Sequence, residues 1–241
     1  MKIIILILAA LTFGFNSNAQ VKTVTEEQLF KAFKQDIVKF QGYLSMIGGG
    51  GNCASIALIK SAIGTFGING VFKEVRIDSL KEIVYVTRRD NKVIDLSFER
   101  LQNGKDYFFI TSNTDNLSKQ ISDYGAFCFA VMCRAKQLDM GYDKTYFYRG
   151  VDNLNKGEAA ESIYTLLGLQ KEQITDLSYD NLKKYKNVVL YNAPHAVYSS
   201  SGNYDEFFMG TITGIEPLNR LSYFHCKNEN SCPILGAYTL K

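Results

Sequence analysis

Cys53 follows four glycines at 48–51 and Asn52, and it opens ASIALIKSAIGTF, a run with helical spacing. A thiol attacks as its thiolate, and an ordinary cysteine is only slightly ionised near neutrality. A helix N-terminus favours an anion through its unpaired N–H groups and its dipole. Glycines carry no side chain, so they let a substrate backbone come close and can aim N–H groups at a developing oxyanion. The opposing reading is a packed cysteine, since Cys is among the most buried residue types.

A nucleophilic thiol needs a base, and the only histidines are His195 and His225. His195 follows the turn-forming Asn-Ala-Pro and heads the strand-like HAVYSSS. An imidazole there can take a thiol proton and return it to a leaving group. His225 is the second choice, because no turn presents it. A third group should hold the imidazole ring. Asn228, at the end of RLSYFHCKN, is the first choice, with Asn203, Asp205 and Asn219 as rivals.

These residues have to be placed by elements with their own sequence signals. TVTEEQLFKAFKQDIVKFQG reads as a helix with a Thr25/Gln28 capping box, an apolar face at 3.6 spacing and Gly42 as its stop. The helix after Cys53 carries Ile56, Ile59, Ile63 and Phe66 and is apolar nearly all round, so it should be central. EIVYVTRRDNKVIDLS reads as a hairpin over 83–87 and 93–96, turning at Asp90-Asn91. A long helix is expected over 115–138, a shorter one in GEAAESIYTLLGL, and a short polar one in SYDNLKKYK. Strands follow in NVVLYN, HAVYSSS, FFMGTITGIEP and RLSYFHCK. Helices dominate the front and strands the back, which is an α+β arrangement with helices against an antiparallel sheet.

The start, MKIIILILAALTFGFNSNAQ, has a basic first turn, a short apolar run and small residues before Gln20. It reads as a secretory signal peptide over 1–19, too short for a membrane span. One domain over 20–241 is expected, secreted or periplasmic, without stable membrane insertion. The sequence holds 27 Lys+Arg against 24 Asp+Glu, which gives no electrostatic reason to expect nucleic acid. Five cysteines leave at least one thiol unpaired in an oxidising compartment. Cys226 and Cys232 flank a polar loop and can pair. Cys128 and Cys133 sit five apart on one helix, with side chains diverging, and Cys53 is left as a free thiol.

HCKNENSC offers one His and two Cys where a structural zinc site wants four ligands, so a local disulfide is the better reading. The glycine run lacks the Lys-Ser/Thr of a phosphate loop, and no Gly-x-Ser-x-Gly elbow is present. NLKKYK reads as a solvated helix face and CFAVMC as core. No cofactor or metal is expected.

The order Cys at a helix start, His on a much later strand and Asn at the end of a further strand resembles papain-like cysteine peptidases, closest to the calpain-like branch. QGYLSMIGGGGNCASIALIKSAI is similar to that branch's Gln-Gly-x-Leu…Cys segment. EIVYVTRRDNKVIDLS looks like its hairpin, and GVDNLNKGEAAESIYTLLGL like its Gly-Asn or Gly-Gly, Glu-Ala-Leu, Thr-Gly stretch. PHAVYS resembles its Gly-His-Ala-Tyr-Ser, and FHCKNENS its Arg/Lys-Asn-x-Trp. The resemblance spans residues 36–230. It implies a papain-like two-lobe fold, with a helical lobe over about 24–175 and a sheet lobe over about 176–241. It implies Cys53 as nucleophile, His195 as base and acid, Asn228 as the orienting residue and Gln41 as oxyanion donor. The implied activity is cysteine-peptidase or related acyl-transfer hydrolysis of a peptide or protein substrate. The alternative is an inactive module of that fold that binds a peptide or protein partner. Three departures stand out. Gln41 lies twelve residues before Cys53, about twice the family spacing, with MIGGGG as the extra stretch and a backbone N–H or Asn52 as the alternative donor. Ala54 replaces a bulky aromatic, and the chain has no Trp. Its acidic loops match no family calcium site.

Overall fold

The computed structural model describes residues 20–33, 51–108, 115–192, 195–208, 211–219 and 234–241, without the side chains of 144, 206–208 and 211–214. The signal peptide, Gln41, His225, Cys226, Asn228, Cys232 and the RLSYFHCK strand lie outside the described residues.

Helix α1 is Glu26–Ala32, and the capping box forms in both directions: Gln28 N–H donates to Thr25 Oγ1 at 3.3 Å and Thr25 N–H to Gln28 Oε1 at 2.8 Å. The helix ends at Ala32, and the stop expected at Gly42 lies outside the described residues. Phe33 is extended, at φ −154° and ψ 150°. Its ring is buried 4.9 Å from that of Phe108, and Ser122 Oγ donates to the Ala32 carbonyl. Tertiary packing therefore outweighs local helical periodicity here.

Helix α2, Cys53–Phe66, is buried from Ala54 through Ile63, which matches its all-round apolar pattern. It ends at Gly67, whose φ of 80° and proximity to the Lys22 carbonyl both exclude a side chain. Strands β1 (Glu74–Asp78), β2 (Ile83–Thr87) and β3 (Val93–Ser97) form an antiparallel meander. The β2–β3 turn puts Asn91 at φ 67°, a conformation that Asn tolerates. Helix α3, Phe98–Asp106, starts on a Ser97 cap. Helix α4, Asn116–Asp139, starts on Asp115, which accepts from Leu117 and Ser118 N–H. Cys128 and Cys133 are buried in α4 and unpaired. Helix α5 is Phe147–Asn155.

The GEAAESIYTLLGL segment is not a helix throughout. Residues 157–162 are irregular, and only Ile163–Leu167 winds into a 3-10 turn. Strand β4 (Lys171–Ile174) comes next, then a short helix α6 (Tyr179–Leu182). After these come β5 (Val188–Tyr191), β6 (Ala196–Ser200), β7 (Asn203–Phe208), β8 (Thr211–Pro217) and β9 (Gly236–Leu240). They make a six-stranded antiparallel sheet of order β4-β9-β5-β6-β7-β8. The sheet thus begins with β4 at Lys171.

The fold is α+β. The main core joins α1, α2 and α4 to one face of the sheet through Val189, Tyr198 and Tyr238. On the other face, Ile174, Leu182, Val188, Leu190, Val197 and Ala237 form a second cluster. With both faces covered, β5 is an apolar run and β6 is buried along its whole length, Ser199 and Ser200 included. Lys22 and helix α1 belong to this fold too. Lys22 pairs with Ile68 in an isolated bridge, Phe30 packs 5.1 Å from Tyr198, and Glu26 meets Lys186 and Ser201. No helix among the described residues is long and apolar enough to cross a membrane.

Candidate active site

Cys53 is the first residue of α2, and Asn52 caps the helix through its main chain alone. The first intrahelical bond of α2 runs from Ile56 N–H to Asn52 O, so the N–H groups of Cys53, Ala54 and Ser55 have no acceptor within the helix. Helix α2 lies against β6, which brings its mouth beside the start of that strand.

His195 sits immediately before β6. The β5–β6 connection is residues 192–195, closed by the Tyr191–Ala196 pair. Asn192 is buried and ties this connection down twice: its N–H donates to the His195 carbonyl at 2.9 Å, and its Oδ1 accepts the His195 N–H at 2.9 Å. A side chain that satisfies its own turn is typical of Asn, and Asn-Ala-Pro-His carried that signal in the sequence. His195 is half-buried, with Nε2 shielded from solvent.

Cys53 and His195 line the same crevice, with a volume of about 530 Å³, and Gly51, Ala54, residues 156–161, Tyr191, Asn192, Ala196 and Leu235 complete its wall. Ala196, the first residue of β6, lies close enough to the Cys53 sulfur for its N–H to favour the thiolate. The effect of the helix mouth on the thiol differs from the sequence expectation. Burial raises the Cys53 pKa above the ordinary thiol value, and hydrogen bonds from Ala196, Ala54 and its own N–H offset only part of that. Loss of solvation outweighs the helix terminus, and the thiol is neutral at rest.

The three rival orienting residues go elsewhere. Asn203 pairs with Ser200, at the far end of β6 from His195 and roughly 16 Å along the strand. Asp205 forms a buried ion pair with Lys60 of α2. Asn219 is exposed just past β8, whose Pro217 pairs with Asn203 at that same far end. Asn52 is fully buried, and the crevice wall passes from Gly51 to Cys53 without it. Local patterns gave no hint of the wall at 156–161, whose conformation is set by residues distant in sequence. Among the described residues no group of three His, Cys, Asp or Glu could hold a metal ion.

This constellation can bring a thiol, an imidazole and helix-mouth N–H donors to one carbonyl group. Comparison with known proteins finds no matching family model, no matching curated protein and no matching solved structure.

Proposed function

We propose that the protein is a secreted cysteine hydrolase of papain-like, two-lobed type, closest to the calpain-like branch, acting on peptide or amide bonds. The observation that carries this reading is the shared crevice of Cys53, at the mouth of α2, and His195, at the head of β6.

The chemistry follows from a thiol that is neutral at rest. His195 accepts the Sγ proton as Sγ attacks the carbonyl carbon, so deprotonation accompanies bond formation. The negative charge that develops on the carbonyl oxygen meets the N–H donors at the start of α2, with Gln41 as the further donor implied by the family resemblance. Collapse breaks the C–N bond, and the imidazolium returns its proton to the departing amine. Water, deprotonated by His195, then hydrolyses the thioester and regenerates the thiol. Asn228 takes the orienting role in this scheme, and Asn192 fixes the backbone from which His195 projects.

The test is turnover of fluorescein-labelled casein by wild type and Cys53→Ala, with circular dichroism as the fold control. Loss of turnover in a folded variant is expected, and a Cys53→Ala protein that still cleaves refutes the assignment.

The raised Cys53 pKa, together with Ala54 in place of an aromatic, favours a second reading: a papain-like module without turnover that binds a peptide or protein partner in the same crevice. The two separate on one comparison. In the hydrolase, His195→Gln abolishes wild-type cleavage; in the binding module wild type itself does not cleave.

A further inference from the structure

The crevice wall at 156–161 crosses from the helices to the sheet, and its two ends differ in charge. At one end Gly157, with φ +100°, lies against the Gly51 carbonyl: a Cβ added there would sit 3.9 Å from that oxygen. This end is beside the mouth of α2 and Cys53. At the other end Glu161 is close enough to Tyr191 for its carboxylate to help raise the phenol pKa, after burial as the main cause.

Three carbonyls of this wall are held by the protein. Ala159 O accepts from Ser162 and Ile163 N–H at 3.2 and 3.1 Å, and Ala160 O from Tyr238 Oη at 2.9 Å. Glu161 O accepts from Lys171 Nζ at 2.8 Å, and that ammonium lies over the Tyr164 and Tyr238 rings. The donors are not used in this way. Among the described residues the N–H groups of Gly157, Glu158, Ala159, Ala160 and Glu161 meet no acceptor. With five N–H groups unmatched and three of its carbonyls held, this stretch of crevice wall has more free donors than free acceptors, and it suits acceptor groups.

The side chains give that preference a sign at the Cys53 end. Lys156 lines the crevice, is exposed, and makes no ion pair with a described residue. Glu158, which would oppose it, is neutralised by Lys136 at 2.6 Å in a largely buried pair. Glu161 carries its charge at the far, Tyr191 end.

We propose that Lys156 and the free N–H groups after it select peptides that place a carboxylate side chain against the Cys53 end of the crevice. This substrate class deepens the peptide-ligand reading above and rests on it.

The test uses fluorescein-labelled hexapeptide mixtures, each with one position fixed as Glu, Gln or Lys, binding to the Cys53→Ala protein and followed by fluorescence anisotropy. At one position the Glu mixture is expected to bind about fivefold to tenfold tighter than the Lys mixture, the range for reversing one charge beside a partly exposed partner. The preference should weaken with added salt. It should invert in Cys53→Ala/Lys156→Glu and persist in Cys53→Ala/Lys184→Glu, which changes an exposed lysine far from the crevice. Absence of a Glu-over-Lys preference at every position overturns the proposal, as does a preference that Lys156→Glu leaves in place or that Lys184→Glu removes equally well. Wild-type cleavage is read separately. Charge-selective binding without cleavage refutes the hydrolase and leaves this proposal standing, whereas cleavage without charge selection refutes this proposal alone.

Discussion

Replacing Asp205 by Asn is expected to destabilise the protein strongly without touching the chemistry of Cys53. Lys60 is fully buried on α2, two helical turns beyond Cys53, and its ammonium meets the Asp205 carboxylate, the Phe30 carbonyl at 3.5 Å and the face of the Phe33 ring at 5.2 Å. The pair therefore joins α1, α2 and β7. Desolvation makes such a pair a weak source of net stability while it is intact. Removing one partner is different, because it leaves a buried charge uncompensated at a cost of about 3–5 kcal/mol. For a domain of this size each kcal/mol lowers the melting temperature by about 2–4 °C, so a fall of about 6–20 °C is expected. Urea denaturation followed by circular dichroism measures the free energy, and scanning calorimetry the midpoint. The double variant Lys60→Met/Asp205→Leu should recover most of the loss, because two apolar groups can replace a buried pair without penalty. Cys53 alkylation by iodoacetamide in folded Asp205→Asn should follow the wild-type pH profile, because Asp205 holds the helix and not the histidine. A loss under about 1 kcal/mol, or a double variant as damaged as the sum of the singles, would refute the ion-pair argument. A shifted alkylation profile would refute the assignment of Asp205 away from His195.

Asn192→Ala removes the acceptor of the His195 N–H and should cost about 1–3 kcal/mol by chemical denaturation, with Asn192→Asp, which keeps an acceptor oxygen, costing less. Under the hydrolase reading, kcat should fall more in Asn192→Ala than in Asn192→Asp while KM stays nearly constant, since the change acts through His195. Alkali should destabilise the fold. Burial raises the pKa values of the Cys128 and Cys133 thiols and of the Tyr124 phenol, so the unfolded chain ionises first. The stability they contribute is complete below their ordinary values of about 8.5–10 and is lost as pH rises toward the folded-state values. The urea midpoint should accordingly drop between pH 7 and pH 10, with both endpoints measured in the presence of a reductant.

Where the sequence was legible, the signal was local and unopposed. The Thr25–Gln28 capping box, the Asp90-Asn91 turn, the all-apolar helix after Cys53 and the α+β class each rest on residues a few positions apart. The failures come from long-range partners. GEAAES is rich in helix formers, yet residues 157–162 stay irregular because Tyr238 and Lys171 capture carbonyls that a helix would need. The helix that begins at Glu26 follows its periodic pattern only as far as Ala32, because Phe33 is drawn into a core built by Phe108 and α4. The same limit applies to the site. Spacing places Cys53 at a helix mouth, but the burial that raises its thiol pKa is a product of tertiary packing that no local pattern shows. Asn203 and Asp205 look like plausible partners for an imidazole until strand register sets Asn203 at the far end of β6 and Lys60 takes Asp205.

The stretch before α2 has a consequence for the order in which the molecule can assemble. Glu26 and Phe30 belong to the first helix, yet their partners are Lys186, Tyr198 and Ser201, more than 150 positions later in the sequence. A ribosome working from the N-terminus at about 5–20 residues per second delivers those partners on the order of ten seconds after α1 has emerged. Through that interval α1 can dock only on α2, α4 and Phe108, and its contacts with the sheet side of the core wait. Closure of the long loop that finally unites the two ends is an entropic cost met late, and it marks this protein as a slow folder. The contacts that tie α1 to Lys186, Tyr198 and Ser201 are thus among the last to form.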